Sequence, residues 1–182
     1  HFLLNTRELG IERHNVGAVV YCSENIPFKE IVSQIPEVSE CLNGFHTPIP
    51  KMFYSIYRVK EWDGKVADSE QYIELEDETI NQDYADFFGV EVLNGSMLDE
   101  KDGKDMVVIN EAAMKAFGWT QPIGKKMGKL GKQCIVKGVI KNISYNAPIH
   151  PVAPAMFHLP DSRDRGGIIF KVKEGTWNIV SE

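Results

Sequence analysis

The stretch that decides the fold is Met106-Val-Val-Ile-Asn-Glu-Ala-Ala-Met-Lys-Ala-Phe-Gly118, which carries the signals of a strand followed by a helix. The four apolar residues 106–109 predict a strand. Asn110 is a residue type whose side chain accepts hydrogen bonds from the free amides at the start of a helix. The helix predicted over residues 111–117 ends at Gly118, because glycine readily adopts the left-handed conformation that closes many helices.

A second capped helix is predicted upstream by the same signals. Asn81 is a preferred capping residue, and the aromatic residues Tyr84, Phe87 and Phe88 follow at helical spacing. Gly89 can end this helix in the left-handed conformation. The sequence therefore predicts two short helices, each opened by an asparagine and closed by a glycine.

The sequence near each end of the chain predicts a strand followed by a helix. Residues 16–22 form an apolar run typical of a buried strand, and residues 27–35 follow as a helix. The apolar face of that helix comprises Phe28, Ile31, Val32 and Ile35. Residues 167–173 predict a second strand, Gly175 a turn, and Thr176 a cap for a helix that begins at Trp177.

The two outermost helices are incomplete in the sequence. Residues 2–11 have helical apolar spacing but no capping residue in front of them, and the helix from Trp177 reaches Glu182 after about two turns. We therefore expect the chain to begin and end within longer helices. The sequence contains neither a signal peptide nor a run of about 20 apolar residues of the kind that crosses a membrane.

The middle of the chain is predicted to be rich in strands. Residues 51–61 predict a long strand at a sheet edge, the Asp63-Gly64 pair a hairpin turn, and residues 71–77 a further strand. Residues 122–143 also predict β-structure, with glycines 124, 128 and 131 in turns before a strand over residues 134–140. The proline-rich residues 148–160 are predicted to form an extended connection.

Charge and cysteine content exclude several classes of function. The chain has 182 residues and a net charge of −6, which argues against binding to nucleic acid or to an anionic membrane surface. Cys22, Cys41 and Cys134 are far apart and form no CxxC pair, which argues against a zinc site and leaves the redox compartment open.

Apparent ligand-binding motifs fail on spacing. In the glycine- and lysine-rich run 124–132, the first glycine of a phosphate loop would fall at Lys126, and Gln133 replaces the Ser or Thr that binds magnesium. A calcium loop aligned on Gly103 would put Leu98 and Ile109 at ligand positions. Turns account better for both segments.

Candidate catalytic groups are also missing. The five histidines show no metal-ligand spacing and accompany no GxSxG or Cys–His signature. Glu74, Glu76 and Glu78 alternate along one predicted strand, so their carboxylates share one face, interpreted as the solvated face of an edge strand. We therefore expect no catalytic, metal-binding or cofactor-binding residues.

Five segments in order resemble the periplasmic core domain of MacB/FtsX-type ABC transporter permeases. They are residues 83–95 (DYADFFGVEVLNG), 107–113 (VVINEAA), 117–119 (FGW), 121–125 (QPIGK) and 136–142 (VKGVIKN). Residues 151–159 also match the pattern of proline followed by phenylalanine with which a strand of the family begins. The resemblance covers most of the chain, from about Glu8 to Glu182, and is strongest over residues 80–143. Ser96 and Asn142 depart from it, since the family often has Arg and Asp there. The matched positions with a shape-determining role are Tyr84, Gly89, Gly95, Asn110, Glu111, Gly118, Pro122, Gly124 and Gly138.

The resemblance implies an α+β fold with two lobes. A porter-like lobe of strand–helix units would comprise residues 1–92 and 160–182, and a β-rich, sabre-like lobe would be inserted over residues 93–159. The terminal helices would lead into membrane helices.

The implied function is that of a non-catalytic domain that couples ATPase-driven motion to export or handover of a substrate. It would lie on the periplasmic side of the inner membrane. The implied partners are a cytoplasmic ATPase subunit, a periplasmic adaptor or lipoprotein, and a second permease subunit in a homo- or heterodimer. Two alternatives stay open at this point, an extracytoplasmic sensor or small-ligand-binding domain and a free-standing enzyme. An enclosed apolar pocket would favour the sensor, and a cleft with perturbed titratable groups would favour the enzyme.

Overall fold

The computed structural model describes residues 15–20, 28–44, 55–66, 71–129, 132–143, 151–160 and 167–176. The predicted helices over residues 2–11 and from Trp177, and the predicted turn at Gly131, lie outside these ranges. The described helices are α1 (Phe28–Ser33), α2 (Gln82–Phe88) and α3 (Glu111–Ala116). The described strands are β1 (Val16–Val20), β2 (Val38–Gly44), β3 (Ile56–Val59), β4 (Glu61–Trp62), β5 (Lys65–Val66), β6 (Ile73–Thr79), β7 (Val92–Gly95), β8 (Met106–Asn110), β9 (Lys126–Lys129), β10 (Lys132–Ile140), β11 (Ala155–His158) and β12 (Gly167–Val172).

A small antiparallel sheet combines strands from the two ends of the chain. Its order is β1-β12-β2, so the strands predicted over residues 16–22 and 167–173 are confirmed at residues 16–20 and 167–172 and lie side by side, while residues 21 and 22 lie outside the described ranges. Helix α1 packs on this sheet, with Val32 buried against Ile168, Phe170 and Val172. Ile31 is 51% exposed, so its assignment to the buried helix face was wrong. Only part of the apolar face of this short helix is in contact with the sheet, so Val32 is buried while the neighbouring Ile31 is exposed.

A larger sheet closes on itself. Its order is β3-β6-β11-β8-β10-β9-β4-β5, and β7 adds to the edge of β10. The first and last parts of this path belong to one chain segment, because β3 pairs with β6 while β4, which follows after Lys60, pairs with β9. In its described part, the strand predicted over residues 51–61 is interrupted at Lys60. The residues before Lys60 form β3 and pair with β6, and Glu61 after it belongs to β4, which pairs with β9.

Two apolar cores lie on opposite faces of the closed sheet. Alternate residues of a strand point to opposite faces, so Val107 and Ile109 join the interior core while Val108, between them, joins the outer one. The interior core also receives Ala113 of α3 and the aromatic pair Phe117 and Trp119. The closed sheet is therefore filled by side chains.

The outer core connects the two sheets through α2. Phe87 is 1% exposed and packs in one buried cluster with Leu42 of β2 and Ile169 of β12. The Lys171 ammonium lies 4.5 Å from the centre of the Phe87 ring. Helix α2 thus fills the space between the small sheet and the outer face of the closed sheet.

Three further predictions from the sequence patterns were wrong. The extended connection predicted from the prolines over residues 148–160 contains strand β11, which lies between β6 and β8 and agrees with the strand entry that the resemblance implies for residues 151–159. Its residues do not alternate between polar and apolar, because both faces of the strand are covered. Gly128 lies within β9 and not in a turn. Strand β6 has neighbours on both sides, and Glu78 is 4% exposed, so the carboxylate-bearing face is not the solvated face of an edge strand.

The fold is a mixed, strand-rich α+β structure with few helices in the described ranges. The predicted division into residues 1–92 with 160–182 and residues 93–159 stays a prediction. The sheets group the strands differently from that division, because β3 and β6 belong to the closed sheet together with β8 and β10.

Candidate functional site

Asn110 is the most connected of the residues singled out in the sequence. Its side chain caps α3, since Oδ1 accepts a hydrogen bond from Ala113 N at 2.8 Å. The same oxygen accepts one from Ala155 N at 3.0 Å, and Nδ2 donates one to Ala153 O at 2.8 Å. Because Asn110 is 1% exposed, these bonds satisfy a polar group that would be costly to bury alone. Asn110 therefore joins α3 to β11.

Glu111 and Asn142 form a reciprocal clamp beside it. Asn142 Oδ1 accepts a hydrogen bond from Ala112 N at 3.0 Å, and Glu111 Oε2 accepts one from Asn142 N at 3.0 Å. Each side chain satisfies a backbone amide of the other segment. The departure from Asp at position 142 keeps the oxygen that accepts this bond.

Gly95 and Gly138 face each other where β7 meets β10. A Cβ on Gly138 would collide with the backbone of Ser96, and a Cβ on Gly95 would collide with the backbone of Lys137. Gly95 also has a φ of +70°. Only glycine at both positions allows the two backbones to approach this closely.

The remaining motif residues lie at turns and helix ends. Asn81 Oδ1 accepts a hydrogen bond from Tyr84 N at 2.9 Å, and Gly89 ends α2 with a φ of 63°, which confirms the predicted caps. Gly118 follows α3 with a φ of +68°. Gly124, two residues after the buried Pro122, donates a hydrogen bond from its N to Val136 O at 2.8 Å. Tyr84 and Gly89 are thus on α2, and the other motif residues are on the closed sheet or next to it.

A contact that the sequence did not indicate joins the β4–β5 hairpin to the end of α3. Asp63 Oδ2 accepts a hydrogen bond from Trp119 Nε1 at 2.7 Å. The same oxygen forms an ion pair with Lys125, whose Nζ lies 3.0 Å away. Asp63 and Gly64 have φ values of 53° and 71°, as a tight hairpin turn requires. The Asp-Gly turn was predicted correctly, but nothing in the local sequence pointed to Trp119 as its partner.

Two open cavities lie on the described surface. One, of about 410 Å³, lies between the hairpin and β9, and its lining includes Glu61, Trp62, Lys126 and Gln133. The other, of about 460 Å³, lies between the start of α2 and residues 96–100, and its lining includes Asp83, Asp99, Glu100 and Lys137. Both are open clefts at the surface, and neither is the enclosed apolar pocket expected of a small-ligand sensor.

An ion pair lies at the rim of the second cavity. Asp102 Oδ2 accepts hydrogen bonds from Asp99 N at 2.6 Å and from Lys137 Nζ. The hydrogen bond from the Asp99 amide and then the bond from Lys137 hold the pKa of the Asp102 carboxyl below its ordinary value. The pair fastens the 99–103 turn to β10.

Within the described residues, no three His, Cys, Asp or Glu side chains are placed to hold a metal ion. In the same ranges, none of the helices has the length and apolar character needed to cross a membrane. The residues that the structure brings together are caps, clamps and close backbone contacts. These contacts hold helix ends, turns and neighbouring strands in fixed positions.

Comparison with protein-family models and with curated proteins gives no match to this sequence. Among the solved structures that are similar in fold, three are described below. The periplasmic region of MacB from Actinobacillus actinomycetemcomitans is matched with a TM-score of 0.55 and 18% identity, over 98% of this chain and 83% of that one. The extracellular domain of the noncanonic ABC-type transporter YknZ from Gram-positive bacteria gives a TM-score of 0.53 and 15% identity, over 89% and 78%.

The third structure is a domain of a permease-type protein from Porphyromonas gingivalis, with a TM-score of 0.52 and 16% identity. The match covers 80% of this chain, which spans 66% of the length of that domain. At these identities the likeness concerns the fold. The chain therefore has the fold of the extracytoplasmic domains of MacB- and YknZ-type ABC transporters.

Proposed function

We propose that this chain is a non-catalytic extracytoplasmic domain of an ABC transporter permease of the MacB/FtsX type. In this proposal it couples ATPase-driven motion to the export or handover of a substrate outside the inner membrane. The observation that carries the proposal is the fold match over 98% of the chain to the periplasmic region of MacB. The ordered motif set over residues 83–142 supports it independently.

The small sheet is suited to receive motion from a membrane. Strands β1 and β12 are antiparallel neighbours, so Val16 lies opposite Lys171, and Val172 N donates a hydrogen bond to Asn15 O at 2.9 Å. The chain therefore enters and leaves the small sheet at the same end. A domain attached to membrane helices on both sides would be suspended from that one place.

The core around α2 offers a route from the small sheet to the rest of the domain. Phe87 packs with Leu42 and Ile169 of the small sheet and, through the same cluster, with Val108 and Phe157 of the closed sheet. Close-packed interiors deform little, so a displacement of the small sheet would carry the closed sheet with it. This supports a mechanical role for the domain.

The proposed partners are a cytoplasmic ATPase subunit, reached through membrane helices of the full-length permease, and a periplasmic adaptor or lipoprotein. We also propose that the permease works as a homo- or heterodimer and that this domain lies on the periplasmic side. The substrate class stays open, because neither of the two open clefts described above is an enclosed pocket that would select one. No feature of the site favours the sensor or the enzyme alternative.

The placement is tested in the full-length protein with a cysteine at an exposed hairpin position, Lys65→Cys. A membrane-impermeant maleimide should label this variant in spheroplasts without lysis, above the level of the wild-type chain with its three native cysteines. Labelling that requires lysis would place the domain in the cytoplasm and refute the proposal.

The coupling is tested in membranes that contain the full-length permease and its ATPase. Deleting this domain should abolish transport while ATP hydrolysis continues. Transport that persists without the domain would remove its proposed role.

A further inference from the structure

The closed sheet has one weak seam, where β4 meets β9. The two strands share a single register pair, Trp62 with Met127, and next to it Asp63 N donates a hydrogen bond to Lys126 O at 3.2 Å. On the other side of β9, four register pairs join it to β10. Of the junctions that close the sheet, this one has the least backbone pairing.

From this geometry we infer that the hairpin of residues 61–66 is a latch, which opens the seam while the remainder of the domain stays folded. Asp63 is the residue that fastens it. The inference does not rest on the proposed transport function, because it concerns only contacts within this chain.

The hairpin is attached to the rest of the domain mainly through side-chain contacts. Asp63 Oδ2 accepts bonds from both Trp119 Nε1 and Lys125 Nζ, so one carboxylate joins the hairpin to the end of α3 and to the turn before β9. The Trp62 ring packs edge-on against Phe117, with ring centres 5.8 Å apart, and Phe117 stacks on Trp119 at 4.1 Å. A charge-assisted hydrogen bond of this kind is stronger than a neutral one.

Little apolar burial opposes the release of the hairpin. Trp62 is the partly buried residue of the hairpin, whereas the other five residues are exposed, including Val66 at 77%. The adjoining strand is anchored differently. Val59 is fully buried, and β3 keeps four register pairs with β6. Opening can therefore stop at Lys60, between the two strands.

Release of the hairpin would change the protein surface along the edge of β9. The edge of β9 at Met127 would lose its pairing with Trp62, and the cavity between the hairpin and β9 would widen, because Glu61, Trp62, Asp63 and Gly64 form one of its walls. The latch thus controls access to the cavity at the seam.

Hydrogen exchange of single amides in the 182-residue chain tests the inference. The reporter is the Asp63 amide, bonded across the seam, and the reference is the Ile135 amide, bonded to Asp105 O at 2.8 Å. In the wild type, exchange at Asp63 should be faster than at Ile135 and insensitive to low urea, as expected of a local opening. An Asp63 amide that exchanges only through global unfolding would overturn the latch.

Two variants weaken the fastening without changing Asp63. Trp119→Phe removes the indole donor and keeps an aromatic ring over Phe117, and it should accelerate exchange at Asp63 relative to Ile135 by about tenfold. Lys125→Met removes a partly exposed ion pair and should accelerate it by about twofold. Glu61→Gln, on the same hairpin, is the matched control and should leave the ratio unchanged.

The ratio of the two amides separates the latch from a general loss of stability. Equal acceleration at Asp63 and Ile135 in Trp119→Phe would mean that the seam opens only when the domain unfolds. No acceleration at Asp63 in Trp119→Phe would mean that the bond from Trp119 to Asp63 does not fasten the hairpin. Either result overturns the inference.

Discussion

Asn110 Oδ1 accepts a hydrogen bond from the backbone N–H of Ala155, 45 residues further along the chain, at 3.0 Å. The same oxygen caps α3, so one buried amide closes a helix and secures the strand β11. Removing it would leave two buried backbone N–H groups, those of Ala113 and Ala155, without this acceptor.

We expect Asn110→Ala to lower the free energy of unfolding by about 2–4 kcal/mol, because it removes a cap and leaves the Ala155 amide buried without its acceptor. Asn81→Ala removes a cap alone and should cost about 1 kcal/mol. Urea denaturation of both variants checks the difference. Equal losses would show that the bond to Ala155 contributes nothing.

The glycine at position 95 should tolerate alanine less well than the glycine at position 124. Both have a positive φ, +70° and +78°, but a Cβ meets backbone atoms only at Gly95 and has open space at Gly124. Gly124→Ala should cost about 1–2 kcal/mol from backbone strain alone. Gly95→Ala should cost about 3 kcal/mol or more, since overpacking adds to the strain. Thermal unfolding of the two variants measures the gap, and a larger loss at position 124 would contradict the close approach of β7 and β10.

Stability should depend on pH through Asp102. Hydrogen bonds from Asp99 N and then from Lys137 depress the pKa of this carboxyl in the folded state. A depressed pKa contributes stability above the unfolded-state pKa of about 3.9, and this contribution is lost as the pH falls through the lower folded-state value. The stability difference between wild type and Asp102→Asn should therefore be constant near pH 6 and shrink below about pH 4.

Urea midpoints across this range measure that effect. Glu100→Gln, which removes a neighbouring exposed carboxylate, is the matched control. A difference between wild type and Asp102→Asn that is the same at every pH would show that the charge of Asp102 does not contribute.

Phe87 should hold the small sheet to the closed sheet. Because its ring is 1% exposed between the two sheets, Phe87→Ala should cost about 3–5 kcal/mol. Amides of β1, β2 and β12 should then exchange faster relative to those of β8 and β10. Ile31→Ala, at a position 51% exposed, serves as the control and should change stability by less than about 0.5 kcal/mol. Uniform acceleration in both sheets would mean that they unfold together and that α2 does not form their boundary.

Local signals explain why much of the fold could be predicted. The caps at Asn81 and Asn110 and the left-handed glycines at 89 and 118 depend on residues within one turn of the helix, and all four are found in the structure. Gly89, Asn110 and Gly118 lie in the segments that carried the family resemblance, and Asn81 lies two residues before the first of them. The resemblance therefore rested on positions that determine local geometry.

Features that depend on distant contacts could not be predicted. The prolines around β11 alone predict a connection, and only the family resemblance indicated a strand there; its neighbours β6 and β8 are far away in the chain. Sheet closure depends on Trp62 meeting Met127, and the Asp63–Trp119 contact spans 56 residues. Burial of Glu78 follows from the same arrangement, since the sequence shows its alternation but not the layer that covers it.

The adjacency of Asn15 and Val172 has a mechanical consequence. The hydrogen bonds between β1 and β12 run across the strands, so pulling the two ends apart would load these bonds one after another, as in a zipper. Pulling the start of β1 and the end of β12 together in the same direction would not separate the two strands, so the hydrogen bonds between them would not break one after another. The small sheet is therefore strong against a shared pull and weak against a separating one, and a membrane anchor on both strands would have to move as a unit.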